Sequence, residues 1–479
     1  MTDTIIVGGG IAGLATAYEL HRRGLPFLLL ESALRPGGVI LSEDVDGFTI
    51  DAGPDSLLVQ KPDGIKLCEE LGLGDRLVPT KPPRLAFILR DGTLHPLPAS
   101  SVLGVPTRIG PFISTRLFSM PGKMRMGAEL FVPTRRDDED ESIGAFMTRR
   151  FGEEATTYLA EPLLAGIHAG DVNRLSLRAL FPRFVETERT CGSLLRAFRG
   201  QRQPRPKTSG GGAPRELNKD GAFRSLPGGL SELTRALVAA LPSPSIRLNT
   251  RVERVGRSTS GSRSFRVDLA NGESLEARSV VIAAPAYVAA TVIREMQPQL
   301  AQLCGDIEYA STATIALAFA REHVKHPLKG SGFVVPRVEG LGILAASWLS
   351  SKWPHRAPEG RVLLRTFAGG ARDPQALALS DKELIDRSIK ALTPLIGVTG
   401  SPMLTRVYRW ERASAQHNVG HLARIAAIER LLAGQPGLFV TGSGFRGVGI
   451  PDCIADGRAT GAQVASWLAE TRVAAGAMA

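Results

Sequence analysis

The residues best suited to chemistry are three glycines near the start of the chain and one acid that follows them. Gly8, Gly10 and Gly13 have the spacing G-x-G-x-x-G. In this spacing the first glycine permits a tight turn, the second lets a pyrophosphate approach the backbone, and the third lets a helix pack on a strand. A carboxylate at Glu31 can accept hydrogen bonds from a ribose diol. The pattern therefore predicts a dinucleotide site without deciding which dinucleotide binds.

The elements that must position these residues follow from the neighbouring residue types. The apolar run from Ile5 to Val7 predicts a buried strand before the turn, and the apolar periodicity after it predicts a helix from about Ile11 to Arg23. Residues 27–30 predict a second strand that carries Glu31 at its end. The helix would present its free backbone N–H groups and its positive dipole end to the phosphates.

Composition indicates a globular protein with an excess of positive charge. The chain has 479 residues, enough for two or three domains, with 43% apolar and 22% charged residues. Its net charge of +11 is explained by solubility alone, or by an anionic substrate, an anionic membrane surface or nucleic acid. Only 6% of the residues are aromatic and no nucleic-acid motif is present, which argues against nucleic acid.

The cysteine spacing, the first residues of the chain and the lengths of its apolar runs predict where the protein is located. The four cysteines have neither metal-binding nor redox spacing, so we expect a reducing compartment, no disulfide framework and no metal site. We expect no leader peptide ahead of the first strand, and the given sequence has no apolar run long enough to span a bilayer. The expected location is cytoplasmic, with peripheral contact to the cytoplasmic membrane left open.

One long stretch lacks acidic residues altogether. Between Gly92 and Ala128 the basic residues Arg108, Arg116, Lys123 and Arg125 alternate with large apolar ones. Such interleaving favours an anionic lipid interface. A helical lid with solvated basic side chains explains it equally well, and both interpretations stay open.

Three further motifs frame a possible site. Residues 84–94, with a turn at Asp91-Gly92, predict a β-hairpin that Arg84 begins. His168 lies between two glycines, where a lone histidine is more often structural than catalytic and the glycines let the main chain approach a flat ligand. A glycine-rich turn from Ser443 to Gly449 connects a strand to a helix near the end of the chain.

The segment after Glu31 identifies the dinucleotide by resemblance. Arg35, Gly37 and Gly38 follow the acid, and the turn of residues 47–56 reads Gly-Phe-Thr-Ile-Asp-Ala-Gly-Pro-Asp-Ser. This arrangement resembles the flavoprotein superfamily of amine oxidases, phytoene desaturases and protoporphyrinogen oxidases. The resemblance implies that the cofactor is FAD.

Within that superfamily the chain is most similar to the protoporphyrinogen oxidase family, and the similar stretches extend from end to end. They are residues 53–56, 83–84, 161–171, 366–370, 418–421 and 447–454. The resemblance implies oxidation of protoporphyrinogen IX to protoporphyrin IX, the penultimate step of haem synthesis, with O2 as the electron acceptor. The alternatives are a coproporphyrinogen III oxidase of the same family, a flavin amine oxidase, and a porphyrin carrier that kept the fold.

The resemblance also implies a set of site residues. Arg84 would bind a substrate propionate and the Gly166 carbonyl would face the pyrrole nitrogens. The macrocycle would be held by apolar contact with Val334, Leu344 and Phe367. No side chain is assigned as a catalytic base. The positions matched to FAD are Gly8, Gly9, Gly10, Ile11, Ala12, Gly13, Glu31, Ser32, Arg35, Gly38, Val39, Gly53, Pro54, Asp55, Ser56, Val252, Ser443, Val448, Gly449 and Ile450.

The predicted fold is a mixed α/β (α+β) flavoprotein of the two-dinucleotide-binding-domain type, and a homodimer is allowed. It would combine a Rossmann-like FAD domain, a substrate domain built on a mixed sheet, and a helical domain that acts as lid or membrane contact. The expected boundaries are 1–82, 222–286 and 405–479 for the FAD domain, 83–96, 196–221 and 287–404 for the substrate domain, and 97–195 for the helical domain.

Overall fold

The architecture is described from a computed structural model of the chain. It describes residues 2–97, 101–102, 105–106, 113–200, 220–258 and 264–476. Arg108 and the Pro/Gly-rich segment 201–219 lie outside these residues. Two large sheets of seven strands each organise the rest, and the predicted mixed α/β class is confirmed.

The first sheet contains the predicted dinucleotide strand at its centre. Its strands, in spatial order, are Ile246–Arg247, Phe27–Leu30, Thr2–Val7, Ser274–Ile282, Phe265–Leu269 and Val252–Arg257, with Leu438–Val440 also paired to Ser274–Ile282. The strand Ser274–Ile282 pairs antiparallel with its hairpin partner at its start and parallel with Leu438–Val440 at its end. The centre of the sheet is therefore parallel, and its carboxyl edge gathers segments from both ends of the chain.

Burial on both faces explains the continuous apolar run in Thr2–Val7. Ile6 packs with the core on one face of the sheet, and Ile5 and Val7 pack with the core on the other face. A parallel strand covered on both sides has no solvent face, so it reads as an unbroken apolar segment. Each such fully buried side chain stabilises the fold by about 1.5–3 kcal/mol.

The second sheet carries the residues predicted for the substrate. Its strands, in spatial order, are Leu404–Ala415, Tyr309–Ala320, Arg361–Gly369, Ala345–Ser347, Gly332–Val334, Phe87–Arg90 and Thr93–Pro96. Every pair is antiparallel except Gly332–Val334 with Phe87–Arg90. The smaller paired strands are Ser42–Val45 with Phe48–Asp51, Leu57–Leu58 and Val78–Pro79 with Phe223–Ser225, and Ser101–Val102 with Val105–Pro106.

Helices cover both large sheets and build a separate segment between residues 113 and 200. They are Ile11–Arg22, Asp63–Glu70, Met120–Gly127, Ile143–Phe151, Glu153–Ala155, Glu161–His168, Leu177–Leu180, Pro182–Cys191, Leu194–Gly200, Ser231–Ala239, Ala286–Val292, Pro298–Gly305, Leu349–Lys352, Asp381–Ile396, His421–Ala433 and Ile450–Gly476. In the middle segment the buried Glu129 pairs with Arg150 and accepts the backbone N–H of Leu194 at 2.9 Å. One buried carboxylate thus ties three parts of the segment together.

Two helices from opposite ends of the chain pack closely because small residues line their contact. Thr16 of Ile11–Arg22 donates its hydroxyl to the Gly457 carbonyl at 2.9 Å. A side chain at Gly457 would overlap the Ala12 carbonyl. This close approach holds the C-terminal helix Ile450–Gly476 against the first glycine turn.

Several predicted boundaries need correction. The hairpin begins at Phe87 and not at Arg84, because residues 84–86 lie outside the ladder. The strand Leu404–Ala415 pairs with Tyr309–Ala320 in the second sheet, so a boundary at 405 cuts through a substrate-sheet strand. Its alternation of half-buried and exposed residues gave no apolar run by which to predict it. The other domain limits stay predictions.

Candidate functional site

The first glycine turn and Glu31 meet as their spacing predicts. Gly8 has φ +108°, a conformation that favours glycine, and its N–H donates to the Leu30 carbonyl at 2.8 Å. The Gly9 N–H donates to Glu31 Oε2 at 2.6 Å, and the Ala33 N–H donates to Glu31 Oε1 at 2.8 Å. The carboxylate therefore sits at the turn, held by backbone groups on both of its oxygens.

The other two glycines of the motif differ in what surrounds them. A Cβ at Gly13 would overlap the Gly8 carbonyl, so glycine is needed there for helix and strand to touch. A Cβ at Gly10 would have no protein atom within 4 Å, and Gly10 has ordinary extended angles. The fold itself thus has no use for glycine at position 10, and open space lies where a pyrophosphate would approach the helix N-terminus.

Two further turns lie beside this one. The Gly37 N–H donates to the Gly9 carbonyl at 2.7 Å. Arg35 wraps around its own turn and donates to the Gly38 carbonyl at 2.7 Å. A Cβ at Gly53 would overlap the Val39 carbonyl. The structure therefore brings the predicted positions of residues 35–39 and 53–56 next to the first turn.

Asp55 is buried and committed to a charge cluster. Its carboxylate pairs with Lys352 at 2.9 Å and with Arg365 at 3.1 Å, and Ser56 donates its hydroxyl to it at 3.0 Å. Burial acts to raise the pKa of Asp55, but the two cations outweigh it and hold that pKa well below its ordinary value. The Asp55 side chain therefore has a structural task within the turn of residues 53–56.

The C-terminal turn completes the group. The Asp456 Oδ2 accepts the Thr441 hydroxyl at 2.6 Å and the Gly442 N–H at 2.9 Å, which fixes the end of strand Leu438–Val440. A Cβ at Gly442 would lie 3.6 Å from the Ala12 Cβ in the first helical turn. Ser443 follows directly, so the turn that carries it begins beside the first glycine motif.

The remaining predicted cofactor positions lie on the same segments. Ser32 is next to Glu31 and contacts its carboxylate at 3.3 Å. Val252, which is buried, begins the strand Val252–Arg257, two residues after Thr250 donates its N–H to the Glu31 carbonyl at 2.8 Å. The last three positions, Val448, Gly449 and Ile450, lead into the C-terminal helix.

Four of the five predicted substrate residues lie close together between one helix and the second sheet, and we call this group the apolar slot. Gly166, on the helix Glu161–His168, is exposed, and a Cβ there would meet only Val334 Cγ1, at 3.5 Å. The Leu344 N–H donates to the Phe367 carbonyl at 2.7 Å, and both side chains belong to one small cluster. The slot is therefore built between one helix and the second sheet.

Arg84, the fifth residue, has its described contacts with Thr80 and Gly221 and none with the other four. It lies on the segment that leads into strand Phe87–Arg90, and Ile88 of that strand pairs with Val334. Its Nε donates to the Thr80 carbonyl at 3.1 Å. Its terminal Nη groups have no hydrogen-bond partner among the described residues. An exposed guanidinium with two free donor groups can bind a carboxylate by donating two parallel hydrogen bonds.

Sequence reasoning missed residues that shape the slot. Ala165, Ala169 and Ala310 pack against Leu344 in the same cluster and keep it narrow. Arg365 precedes Phe367 by two residues on one strand, so it shares the side of the sheet that carries Phe367. That alternation is the sequence signal by which Arg365 could have been found.

His168 lies beside the slot in a neutral state. Burial and the neighbouring His417 lower the pKa of His168 to about 4. Its Nδ1 has no hydrogen-bond partner within the described residues, and its carbonyl accepts from Ser414 at 2.8 Å and from Gln416 at 2.9 Å. The carbonyl contacts show that His168 fixes the end of the helix that carries Gly166.

Taken together, the turns and the slot define a class of protein. The open space at Gly10, the carboxylate at the turn and a second turn from the far end of the chain fit an FAD whose ring would lie near the apolar slot. The fold and site are those of an FAD-dependent oxidoreductase. The chain belongs to the family described as flavin containing amine oxidoreductase, which matches residues 11–465.

Comparison with individual proteins agrees with this class. The chain is 37% identical to the coproporphyrinogen III oxidase of Bacillus subtilis (strain 168), over 97% of this chain and 98% of that protein. It is 28% identical to the chloroplastic protoporphyrinogen oxidase of Nicotiana tabacum, over 97% of this chain and 86% of that protein. A crystal structure from Exiguobacterium sp. 255-15, provisionally named a protoporphyrinogen oxidase, superposes with TM-score 0.84 at 32% identity, covering 98% of this chain and 99% of that one.

Proposed function

We propose that this protein oxidises a porphyrinogen to the corresponding porphyrin, with FAD as the cofactor and dioxygen as the electron acceptor. The observation that carries the proposal is the apolar slot of Gly166, Val334, Leu344 and Phe367, because Arg365 lies 4.8 Å from the Phe367 ring and donates to the Gly53 carbonyl of a turn that fits FAD. A large, apolar, carboxylated ring suits a slot of aliphatic and aromatic side chains. When bound, FAD supplies the hydride-accepting chemistry.

The residues of the chain would bind and orient the substrate. Phe367 and Leu344 would contact the faces of the macrocycle, and the exposed Gly166 backbone would approach its centre. Arg84 would pair with a propionate through its free Nη groups. The described slot residues include no acidic side chain, and the neutral His168 beside them has a pKa of about 4, which makes it a weak base. The Gly166 carbonyl would accept hydrogen bonds from the pyrrole N–H groups, and the protons released would leave to water.

We propose coproporphyrinogen III as the preferred substrate and keep protoporphyrinogen IX as the second candidate. Support comes from the relative at 37% identity, which is named for the former substrate, whereas the plant relative at 28% identity is named for the latter. Coproporphyrinogen III carries more carboxylates, and the terminal Nη groups of Arg84 have no hydrogen-bond partner among the described residues. A flavin amine oxidase would instead need polar contacts for an amine.

The test is a direct comparison of substrates. Purified protein with its flavin would be given coproporphyrinogen III and protoporphyrinogen IX, and porphyrin fluorescence would be followed with and without oxygen. We expect a higher kcat/KM for coproporphyrinogen III and dependence on oxygen. Equal or reversed preference would contradict the choice of substrate, and turnover of amines alone would contradict the proposal as a whole.

Contact with an anionic membrane surface is a further part of the proposal. Ile113, Met120, Met124 and Phe131 are between 61% and 85% exposed, and the exposed Arg116 lies among them in sequence. We call Ile113, Met120, Met124 and Phe131 the apolar patch. Exposed apolar groups with nearby cations suit a lipid interface. Among the described residues, no helix is both long and apolar enough to cross a bilayer.

A further inference from the structure

We propose that His417 and His421 act as a pair of positioning residues for the C-terminal flavin turn, Ser443–Phe445. The inference rests on FAD binding at this turn and concerns how the turn is held. Neither histidine was among the residues predicted to contact the cofactor. Both are buried, with 3% and 1% of their surface exposed.

The two rings are stacked and each is tied to the turn. Their centroids are 3.9 Å apart and their planes differ by 10°. His417 Nε2 lies 2.9 Å from the Ser443 carbonyl, and His421 Nε2 lies 3.1 Å from the Phe445 carbonyl. A carbonyl oxygen only accepts, so both Nε2 atoms must carry a hydrogen and donate it.

The local backbone explains why the two rings can reach the same turn. Gly420, at φ +88°, reverses the chain between them, and the His421 N–H donates to the Asn418 carbonyl at 2.9 Å. The His417 carbonyl accepts the Ser176 N–H at 2.8 Å. These hydrogen bonds hold the backbone of the two histidines at a turn between the helical segment of residues 113–200 and helix His421–Ala433.

Gly444 lies between Ser443 and Phe445, and Tyr309 packs against it. A Cβ at Gly444 would overlap the hydroxyl of Tyr309, and that hydroxyl accepts the Ala286 N–H at 2.8 Å. Three consecutive residues of the turn are therefore fixed. Ser443, the predicted cofactor contact, is the first of them, so its placement depends directly on His417.

Burial, more than the charges that face it, keeps the histidine pair neutral. Burial and His417 lower the pKa of His421 to about 3, with Arg424 acting in the same direction and the Phe445 carbonyl opposing them. Burial lowers the pKa of His417, while the Ser443 carbonyl and Asp452 oppose that shift. His168 also faces His417, and the Lys61–Asp452 ion pair lies beside them. Stacked neutral rings can donate to the turn without mutual repulsion.

Matched variants separate the hydrogen bonds from the ring contact. His417→Phe and His421→Phe keep a stacked ring without a donor, whereas His417→Gln and His421→Gln keep a donor at a similar reach. FAD affinity would be measured by titrating the apoprotein, together with the reduction potential of the bound flavin and the apoprotein melting temperature. We expect the Phe variants to bind FAD roughly fivefold to tenfold more weakly with a shifted potential, because one net hydrogen bond is lost. The Gln variants should recover most of the affinity.

Three further variants separate the effect of the two histidines from general effects on folding or on the cofactor site. His326→Phe changes a histidine that packs on Trp348 in the second sheet and accepts the Leu328 N–H, so FAD affinity should stay as in the wild type. Should a Phe variant not fold, His417→Asn replaces it, because its shorter amide cannot reach the Ser443 carbonyl. Wild-type affinity and potential in the donor-lacking variants would overturn the inference. Gly10→Val, made alongside, reports on the cofactor site itself, since full flavin content in that variant would overturn the site and not merely the histidine pair.

Discussion

Asp55 and Arg365 are joined at 3.1 Å across the boundary between the two halves of the site. Arg365 precedes Phe367 on a strand of the second sheet, and it also donates to the Gly53 carbonyl at 2.8 Å. Its guanidinium lies 4.8 Å from the Phe367 ring centroid. One buried side chain therefore connects the Gly53–Ser56 turn, where FAD is expected, to a wall of the substrate slot.

Removing the Asp55 charge should destabilise the protein. Asp55→Asn leaves Lys352 and Arg365 without their buried partner, and breaking such a pair costs about 3–5 kcal/mol. Because the folded pKa of Asp55 is depressed, its contribution is present above about pH 4, the ordinary range of an aspartate, and is lost as the pH falls below that value. Thermal melts at pH 7 and at acid pH would measure both effects. The variant should lose stability at pH 7 and show a weaker acid dependence, and an unchanged melt would contradict this role.

Gly10 should be dispensable for folding and required for FAD. Gly10→Val places a side chain in space that no protein atom occupies within 4 Å of the Cβ, at backbone angles that valine adopts. We expect a folded protein with strongly reduced flavin absorbance. Gly13→Ala is the contrasting variant, because its Cβ would overlap the Gly8 carbonyl and should disturb folding itself. Full flavin content in Gly10→Val would show that this turn is not the pyrophosphate site.

Replacing Gly166 with alanine should raise the stability of the protein and lower its activity. Gly166→Ala removes a glycine from a helix interior, which should stabilise the helix by about 0.5–1 kcal/mol, and the new methyl group meets only Val334. The same group would displace a flat substrate, and a displacement of about 1 Å can cost roughly a hundredfold in rate. The expected result is a higher melting temperature with a much lower kcat/KM. If Gly166→Ala kept the wild-type turnover, Gly166 would not lie against the substrate.

Arg84 should matter for binding more than for chemistry. Arg84→Ala should raise KM more than it lowers kcat, since a charge-assisted hydrogen bond contributes about 1.5–3 kcal/mol to binding. That range corresponds to a loss of roughly tenfold to hundredfold in kcat/KM. Arg84→Lys should recover part of the loss, because it keeps the charge without the fork. Flavin content serves as the control, and a variant that lost its flavin would place Arg84 with the cofactor instead.

The apolar patch should control binding to anionic vesicles. Replacing Met120, Met124 and Phe131 with Ser should weaken co-sedimentation with vesicles that contain anionic lipid. Met403→Ser, at a methionine that is 46% exposed outside the patch, is the matched control. Arg125 is not a suitable target, because it donates to the Arg150 carbonyl at 3.0 Å at the end of a helix. Unchanged binding of the triple variant would leave only the lid interpretation for this segment.

The sequence by itself determined the first dinucleotide turn. Local spacing was sufficient there, because Gly8, Gly13 and Glu31 act within one strand–turn–helix–strand unit. The same holds for the apolar strands of the first sheet, whose burial on both faces leaves a continuous signal. The FAD assignment is borne out by the family match. It came from resemblance, since spacing alone indicated only a dinucleotide.

Only the tertiary structure decided which distant residues share a task. The Asp55–Arg365 pair and the contacts of His417 and His421 with the C-terminal turn join residues that are far apart in sequence, and neither set has a local periodicity that could reveal it. The strand Leu404–Ala415 was also missed, because it is half exposed and carries no apolar run. Long-range pairing depends on which surfaces the completed fold brings together, so burial and charge complementarity at these positions became visible only in three dimensions.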